Sequence, residues 1–470
     1  MGAFLIALLT SVAQTAGPSP AIVQRALDLE VRLDYDAGTV TGTARITVEN
    51  VGSEPLDSIP LLLGRLMTVS VVRDADGAPI PFTQDVVTFE DWPSYQVNRI
   101  RAVPRTPVAP GAQAVLAVHY AGTLVGYTET GMRYVRDRID HEFTILRMDA
   151  LAFPRLGVTN ARASRAMPRS DFRFGARVTV PQGLVVATAV PETERVTDGD
   201  DVTWVFAGRE PVPFLNITVA PYRTLGKGGL RVFHFAEDEH GALAVLDGIE
   251  RAISLYTGWF GPLARPPALT VMEIPEGWGS QSSLAGGIIQ TADAFRDPRA
   301  MPQVYHEIAH LWHPLDTDAP PVRWNEGLAT FLQWRVTAAL DSTVALAEAM
   351  DRTAARLLQR LTPEQRTVPM IEYGSAGLTD LSYSVGALMF YLLHETLGAE
   401  GFDAALGSYY RAHSRIGTST REFADWLTEI APALRETILE DWLFSTRGIE
   451  RLTSGESLAS MRDQYRRPLP

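Results

Sequence analysis

The spacing of apolar residues along this chain changes near Lys227-Gly228-Gly229. Before that point the period is two. Leu27, Leu29, Val31 and Leu33 alternate with polar residues, Asp36-Ala37-Gly38 turns the chain, and Val40, Gly42, Ala44, Ile46 and Val48 alternate again. Alternation sends successive side chains to opposite faces, so these runs predict a hairpin with one buried face. Phe172, Phe174, Ala176, Val178 and Val180 repeat the pattern, as do Val202, Trp204 and Phe206. Short strands with Gly, Pro and Asp turns over about two hundred residues predict a β-sandwich-like domain.

Beyond the glycine pair, residues 230–235 read as a strand leading into a helix. Leu243, Leu246, Ile253, Tyr256 and Phe260 fall on one helical face, and Gly261-Pro262 stops it. Residues 269–274 and 287–290 read as strands, and after Arg296 the pattern is helical almost to the end. The expected architecture is multidomain: an all-β, sandwich-like domain over residues 21–226, then an α+β domain over 227–470.

Residues 1–20 stand apart. A short apolar run is followed by small residues, and Ser11-Val12-Ala13 resembles a cleavage site. A signal usually begins with a basic residue, and here no Lys or Arg precedes Arg25. The segment reads as a signal peptide or a disordered tail; the first predicts a periplasmic or secreted protein, the second a cytoplasmic one. No later stretch approaches ~18 consecutive apolar residues, so no stable membrane span is expected. A formal charge of -13 with no basic patch argues against a nucleic-acid partner. The chain has no cysteine, so disulfides and thiolate ligands are excluded and any transition-metal site must use His and carboxylate.

Such a site is legible in His306-Glu307-Ile308-Ala309-His310. Pro302 suits a first helical turn and Pro314 cannot continue a helix, so a short helix between them carries both histidines. At ~3.6 residues per turn, positions four apart share a face, and His306 and His310 can point at one ion. Glu307 sits beside them, placed to take a proton from a water acidified by Zn2+ without ligating the metal.

A third ligand is needed. His313 lies on nearly the same face, but roughly 10 Å along the axis from His306 at ~1.5 Å per residue. A straight helix cannot bring both within bonding distance of one ion. Asp316 and Asp318 fall in a Pro-rich loop and read as solvated. Glu326 opens a strong helical run with Asn325 as its N-cap. A carboxylate on a second packed helix completes a two-His, one-Glu site for a single Zn2+.

These residues resemble the gluzincin zinc aminopeptidases, the membrane alanyl aminopeptidase family. Trp312 stands two positions after the second histidine, as in that family, and Asn325-Glu326-Gly327-Leu328-Ala329 is similar to its Asn-Glu-Gly-Phe-Ala. The opening hairpin around Leu33-Asp34-Tyr35 with Gly42 and the stretch Pro213-Phe214-Leu215 through Val219-Ala220 also look like the family's N-terminal domain. Tyr383-Ser384-Val385-Gly386-Ala387-Leu388 matches a helix start that in the family reads Tyr-x-Lys-Gly-Ala. The likeness runs from about residue 25 to about residue 450.

The resemblance implies a thermolysin-like catalytic domain, a peptide or protein substrate, and Tyr383 as donor to the oxyanion of the tetrahedral intermediate. It also implies that backbone near Gly286 and Gly287 lines an extended substrate. Four departures bear on these expectations. The interval between His310 and Glu326 is shorter than usual, within a loop that tolerates length change. The family's amine-gripping Gly-Ala-Met-Glu-Asn is absent; residues 279–287 read Gly-Ser-Gln-Ser-Ser-Leu-Ala-Gly-Gly. Val385 replaces the Lys of the tyrosine motif. The sequence stops about where a catalytic domain should, before the family's C-terminal helical domain. The expectation is therefore a metallopeptidase, aminopeptidase-like with altered N-terminal recognition, for which Glu142, Asp149 or Glu276 could supply an acid. The rivals are an endopeptidase or oligopeptidase, a non-catalytic binding protein that retains the metal site and, with nothing here to favour it, an epoxide hydrolase. Side-chain preference and oligomeric state are not legible.

Overall fold

A computed structural model describes residues 21–466 apart from 125–137, 166, 169, 209, 264–268, 276–279, 284–286, 319 and 415–416. The expected N-terminal signal or tail lies outside the described residues. The alternating run that opens the chain forms the centre of an eight-stranded mixed sheet. Ile22–Asp34 pairs antiparallel with Thr39–Asn50 and parallel with Arg173–Pro181, which pairs in turn with Asp201–Ala207. The Asp34 carboxylate accepts the Ala37 N–H at 2.9 Å and closes the first turn. Residues read as inward facing are buried: Leu27, Leu29, Val31 and Leu33 are at most 4% exposed. A four-stranded and a three-stranded sheet cover this face, with Leu61, Ile100, Leu146 and Ile217 meeting Val31, Ile46 and Phe174 in one core. Burying both inner faces makes the sandwich.

The second half opens on a five-stranded sheet in the order Arg223–Lys227, Leu230–His234, Thr270–Ile274, Gly287–Thr291, Ser280–Ser283. Its first hairpin turns at Gly228 and Gly229, both at positive φ, so a boundary at 226/227 cuts a paired hairpin. The strand Arg223–Lys227 goes with its hydrogen-bonded partner. Phe143, Ile145 and Ala187 of the first half pack on Phe233, Met272 and Ile289 of the second. The helix Glu239–Phe260 lies over the sheet and ends at Gly261, as its Gly-Pro stop predicts.

Three helices carry the site: Met301–Ala309, Trp324–Leu340 and Leu381–His413, the last broken at Gly398. The latter two are held backbone to backbone. A Cβ at Gly327 would stand 2.5 Å from the Gly386 Cα, and one at Gly386 would stand 2.9 Å from the Gly327 Cα. Only glycine at both positions permits this approach. It fixes the start of the helix bearing Glu326 against the start of the helix bearing Tyr383.

Candidate metal centre

The helix Met301–Ala309 ends just before the second histidine, and His310–Trp312 continue as a single 3-10 turn. Trp312 pins that turn by donating its indole N–H to the Gly261 carbonyl at 2.9 Å. His306 and His310 still face the same point, their rings 5.0 Å apart. Glu326 reaches that point from the neighbouring helix. Its Oε2 lies 3.3 Å from the His306 Nε2 and 3.3 Å from the His310 Nε2. All three residues are at most 9% exposed, and Glu307 is 5% exposed, so the four polar side chains sit largely out of solvent.

The donor set fits one zinc ion. Two ligands about 2.0–2.1 Å from a tetrahedral ion stand about 3.3 Å apart, which is the spacing found between Glu326 and each histidine, and all three donor atoms lie within 4.8 Å of one another. The far side of each ring is also engaged. The His306 Nδ1 lies 3.0 Å from the Gln333 amide oxygen, which can only accept. Nδ1 therefore carries the proton and Nε2 keeps the lone pair a metal needs. The His310 Nδ1 is 3.2 Å from the His313 Nδ1. Burial, and then the neighbouring His310, hold His313 well below the usual imidazole range. A neutral His313 can accept the Nδ1 proton of His310, leaving that ring's Nε2 free as well.

Burial alone would raise the Glu326 carboxyl, but His310 and Arg323 outweigh it and keep the group ionised far below the usual range. Burial would likewise depress His310; Glu326 beside it prevails and holds it above the ordinary value. Each shift records the mutual attraction of the buried carboxylate and the cationic groups beside it.

Arg323, just ahead of the Glu326 helix, donates to the Glu326 Oε1 at 2.6 Å. The ligand's second oxygen is thereby occupied and Oε2 alone turns to the histidines. The same guanidinium nitrogen lies 2.9 Å from the Tyr383 hydroxyl. The Tyr383 ring stacks on His306, centroids 5.8 Å apart and planes 8° from parallel.

Several expectations are corrected. Asn325 is not the N-cap: Trp324 already opens the helix, and the cap is Arg323 in a left-handed conformation. The helix thus starts two residues earlier than expected, on Trp324, which is fully buried and stacks on Phe423 at 4.2 Å. Asp316 and Asp318 are not simply solvated. Asp316 accepts the Arg323 and Asp318 N–H groups, and Asp318 accepts the Thr420 N–H, tying the loop down away from the metal point. Gly287 is not on a free edge: it is paired with Thr270 on one side and Ser283 on the other. Among the described residues the edge strand on that side of the sheet is Ser280–Ser283, and Gly286 lies outside the described residues. Of the candidate amine-binding acids, the Glu142 side chain is 90% exposed, Asp149 lies 3.7 Å from the buried Arg147, and Glu276 falls outside the described residues. Sequence reasoning missed Gln333 and Arg323. Gln333 carried a signal, since it stands seven residues after Glu326 and so on the same helical face.

No family model matches the chain. Among curated proteins it is 22% identical over 447 residues to Endoplasmic reticulum aminopeptidase 1 of Homo sapiens, covering 86% of this chain and 45% of that protein. It is 22% identical to Aminopeptidase M1-B of Oryza sativa subsp. japonica, covering 88% and 49%. The chain is a homologue of the M1 gluzincin aminopeptidases. It spans about half the length of the curated relatives it matches. Among solved structures, an M1 zinc metallopeptidase mutant from Deinococcus radiodurans bound to Tyr-Ser-Ala matches with a TM-score of 0.69 at 20% identity, covering 91% of this chain and 95% of that one. Native yeast LTA4 hydrolase matches with a TM-score of 0.69 at 15% identity, covering 90% and 68%. The gluzincin fold is thus shared along nearly the whole chain.

Proposed function

We propose that the protein is a zinc-dependent metallopeptidase, aminopeptidase-like, with His306, His310 and Glu326 holding one Zn2+. The observation that carries this reading is the 3.3 Å spacing of Glu326 Oε2 from both Nε2 atoms. Glu307 is buried on the same helix and Tyr383 is stacked alongside. Homology to aminopeptidases and the peptide bound to the Deinococcus protein support a peptide substrate.

Zinc held there would supply Lewis acidity, polarising a carbonyl and bringing the pKa of a water to about 7. Glu307 accepts the proton of the attacking water and returns it to the leaving amine. Tyr383 donates its hydroxyl proton to the oxygen that becomes negative as the carbonyl turns tetrahedral. Gln333 and His313 hold the two imidazoles in the ligating tautomer. The edge strand Ser280–Ser283 is suited to receive an extended peptide as an added strand.

An endopeptidase reading stands beside this one because residues 279–287 contain no carboxylate to grip a free amine. Fluorogenic peptides with free and N-acetylated termini separate the two. Preference for the free amine supports an aminopeptidase, and equal rates support an endopeptidase. Chelation should abolish either activity and zinc restore it. Failure to cleave any peptide with zinc bound would leave the non-catalytic binding reading. We also propose export, on the apolar run at residues 4–9; the N-terminal residue of protein recovered from outside the cytoplasm tests it. No described helix is long and apolar enough to cross a membrane.

A further inference from the structure

We propose that Arg323 is a positioning residue for the reaction: its guanidinium orients and polarises the Tyr383 hydroxyl. The inference rests on the metallopeptidase reading above and adds a residue to it. One nitrogen of Arg323 reaches both the Tyr383 hydroxyl at 2.9 Å and the Glu326 Oε1 at 2.6 Å. A guanidinium has only donors. The tyrosine oxygen is therefore the acceptor, and its own proton must point away from Arg323. A hydroxyl that accepts from a cation becomes a stronger donor through its O–H, because the bonds polarise one another in a low-dielectric site.

The local rules all oppose an arginine at this position. Arg323 has φ 63° and ψ 36°, in the left-handed region that non-glycine residues seldom adopt. Among the described residues Leu151 is the other non-glycine with positive φ. Helix N-caps favour Ser, Thr, Asp or Asn, and the positive end of the helix dipole repels a cation. Arg323 offers no side-chain cap to its helix. What holds it is tertiary: its N–H donates to Asp316 at 3.2 Å, its head bridges Glu326 and Tyr383, and its guanidinium carbon stands 5.3 Å from the Tyr383 ring centroid. A residue that breaks several local rules and meets two groups of one site is placed there for that site. Lysine would offer a point charge in place of the planar fork and would not reproduce the bridge.

The test is a double-mutant cycle with Arg323→Met, Tyr383→Phe and the pair, read in kcat and KM at measured zinc content. A parallel calorimetric titration uses a phosphinic peptide, a mimic of the tetrahedral state. Arg323→Met should lower kcat about 10- to 100-fold, less than the about 10²- to 10³-fold of deleting an oxyanion donor. KM and zinc stoichiometry should hold, and phosphinic-peptide affinity should fall in parallel. In the Tyr383→Phe background the same substitution should cost under about threefold, because two residues acting as one unit are not additive. A full penalty in that background, loss of zinc, or a change confined to KM would each overturn the inference. Arg323→Lys carries the same cycle if the methionine variant does not fold, and should recover only part of kcat. An active wild type with an additive cycle removes the role of Arg323 alone; a zinc-loaded wild type inactive on every peptide removes the peptidase reading and this inference with it.

Discussion

The Gln333 amide oxygen stands 3.0 Å from the His306 Nδ1, two helical turns beyond Glu326 on the same helix. One helix therefore supplies both a ligand and the group that sets another ligand's tautomer. Helix geometry enforces the pairing, since residues seven apart share a face.

Replacing Gln333 with leucine should weaken zinc binding about 10- to 100-fold, the usual cost of losing such a partner. Gln333→Glu, which keeps an acceptor oxygen, should retain most of the affinity. A chelator competition titration measures both. Equal affinity in the leucine variant and the wild type would show that Gln333 does not hold the ring.

Tyr383→Phe should reduce kcat about 10²- to 10³-fold while KM changes little. The phenyl ring can keep its stacking on His306, so zinc content should remain stoichiometric. Steady-state kinetics on one fluorogenic peptide, alongside elemental analysis, decides this. A tyrosine needed only for packing would leave kcat nearly intact.

Much of the fold was legible because its cause is local. Alternation along residues 27–48 marked the first hairpin, and the Gly261-Pro262 stop marked the end of a helix. The convergence of His306, His310 and Glu326 was legible for a similar reason: histidines four apart share a face, and a carboxylate stands in the first turn of the next helix. What escaped depends on distant partners. Asn325 has the better capping side chain, yet the helix already begins at Trp324, which is buried against Phe423. Arg323 violates helix-capping preference and is held by Asp316, Glu326 and Tyr383, the last sixty positions away. Gly287 read as a substrate strand, but the order of strands in space puts Ser280–Ser283 outside it.

The Gly327–Gly386 contact makes a prediction about stability. Gly327→Ala would place a methyl 2.5 Å from a backbone Cα, which cannot swing aside. The two helices must separate, at about 1–3 kcal/mol for overpacking. Glu326 and Tyr383 ride on those helices, so zinc affinity and kcat should fall together. A lowered denaturation midpoint with both functions intact would show that the contact does not align the site.

Glu273 links stability to pH. It is fully buried on the strand Thr270–Ile274, and burial, reinforced by the nearby Asp238, pushes its carboxyl up to about 8 despite a 2.8 Å bond from the Phe235 N–H. A carboxyl raised in the folded state favours folding while protonated. Its contribution is complete below the unfolded value near 4.5 and is lost as pH rises to about 8. Between pH 5 and 8.5 the wild type should lose stability on the order of a few kcal/mol that Glu273→Gln does not lose. Chemical denaturation at several pH values checks this; parallel profiles for the two proteins would refute it.

Turnover of Glu307→Gln against wild type, on the same peptide at matched zinc occupancy, tests whether Glu307 is the base. Glu307 is buried beside His306 yet is proposed as the base and not as a ligand. Glu307→Gln should load zinc fully with kcat lowered about 10²- to 10⁴-fold, the range of general acid–base catalysis. An unchanged rate with zinc bound would contradict that role.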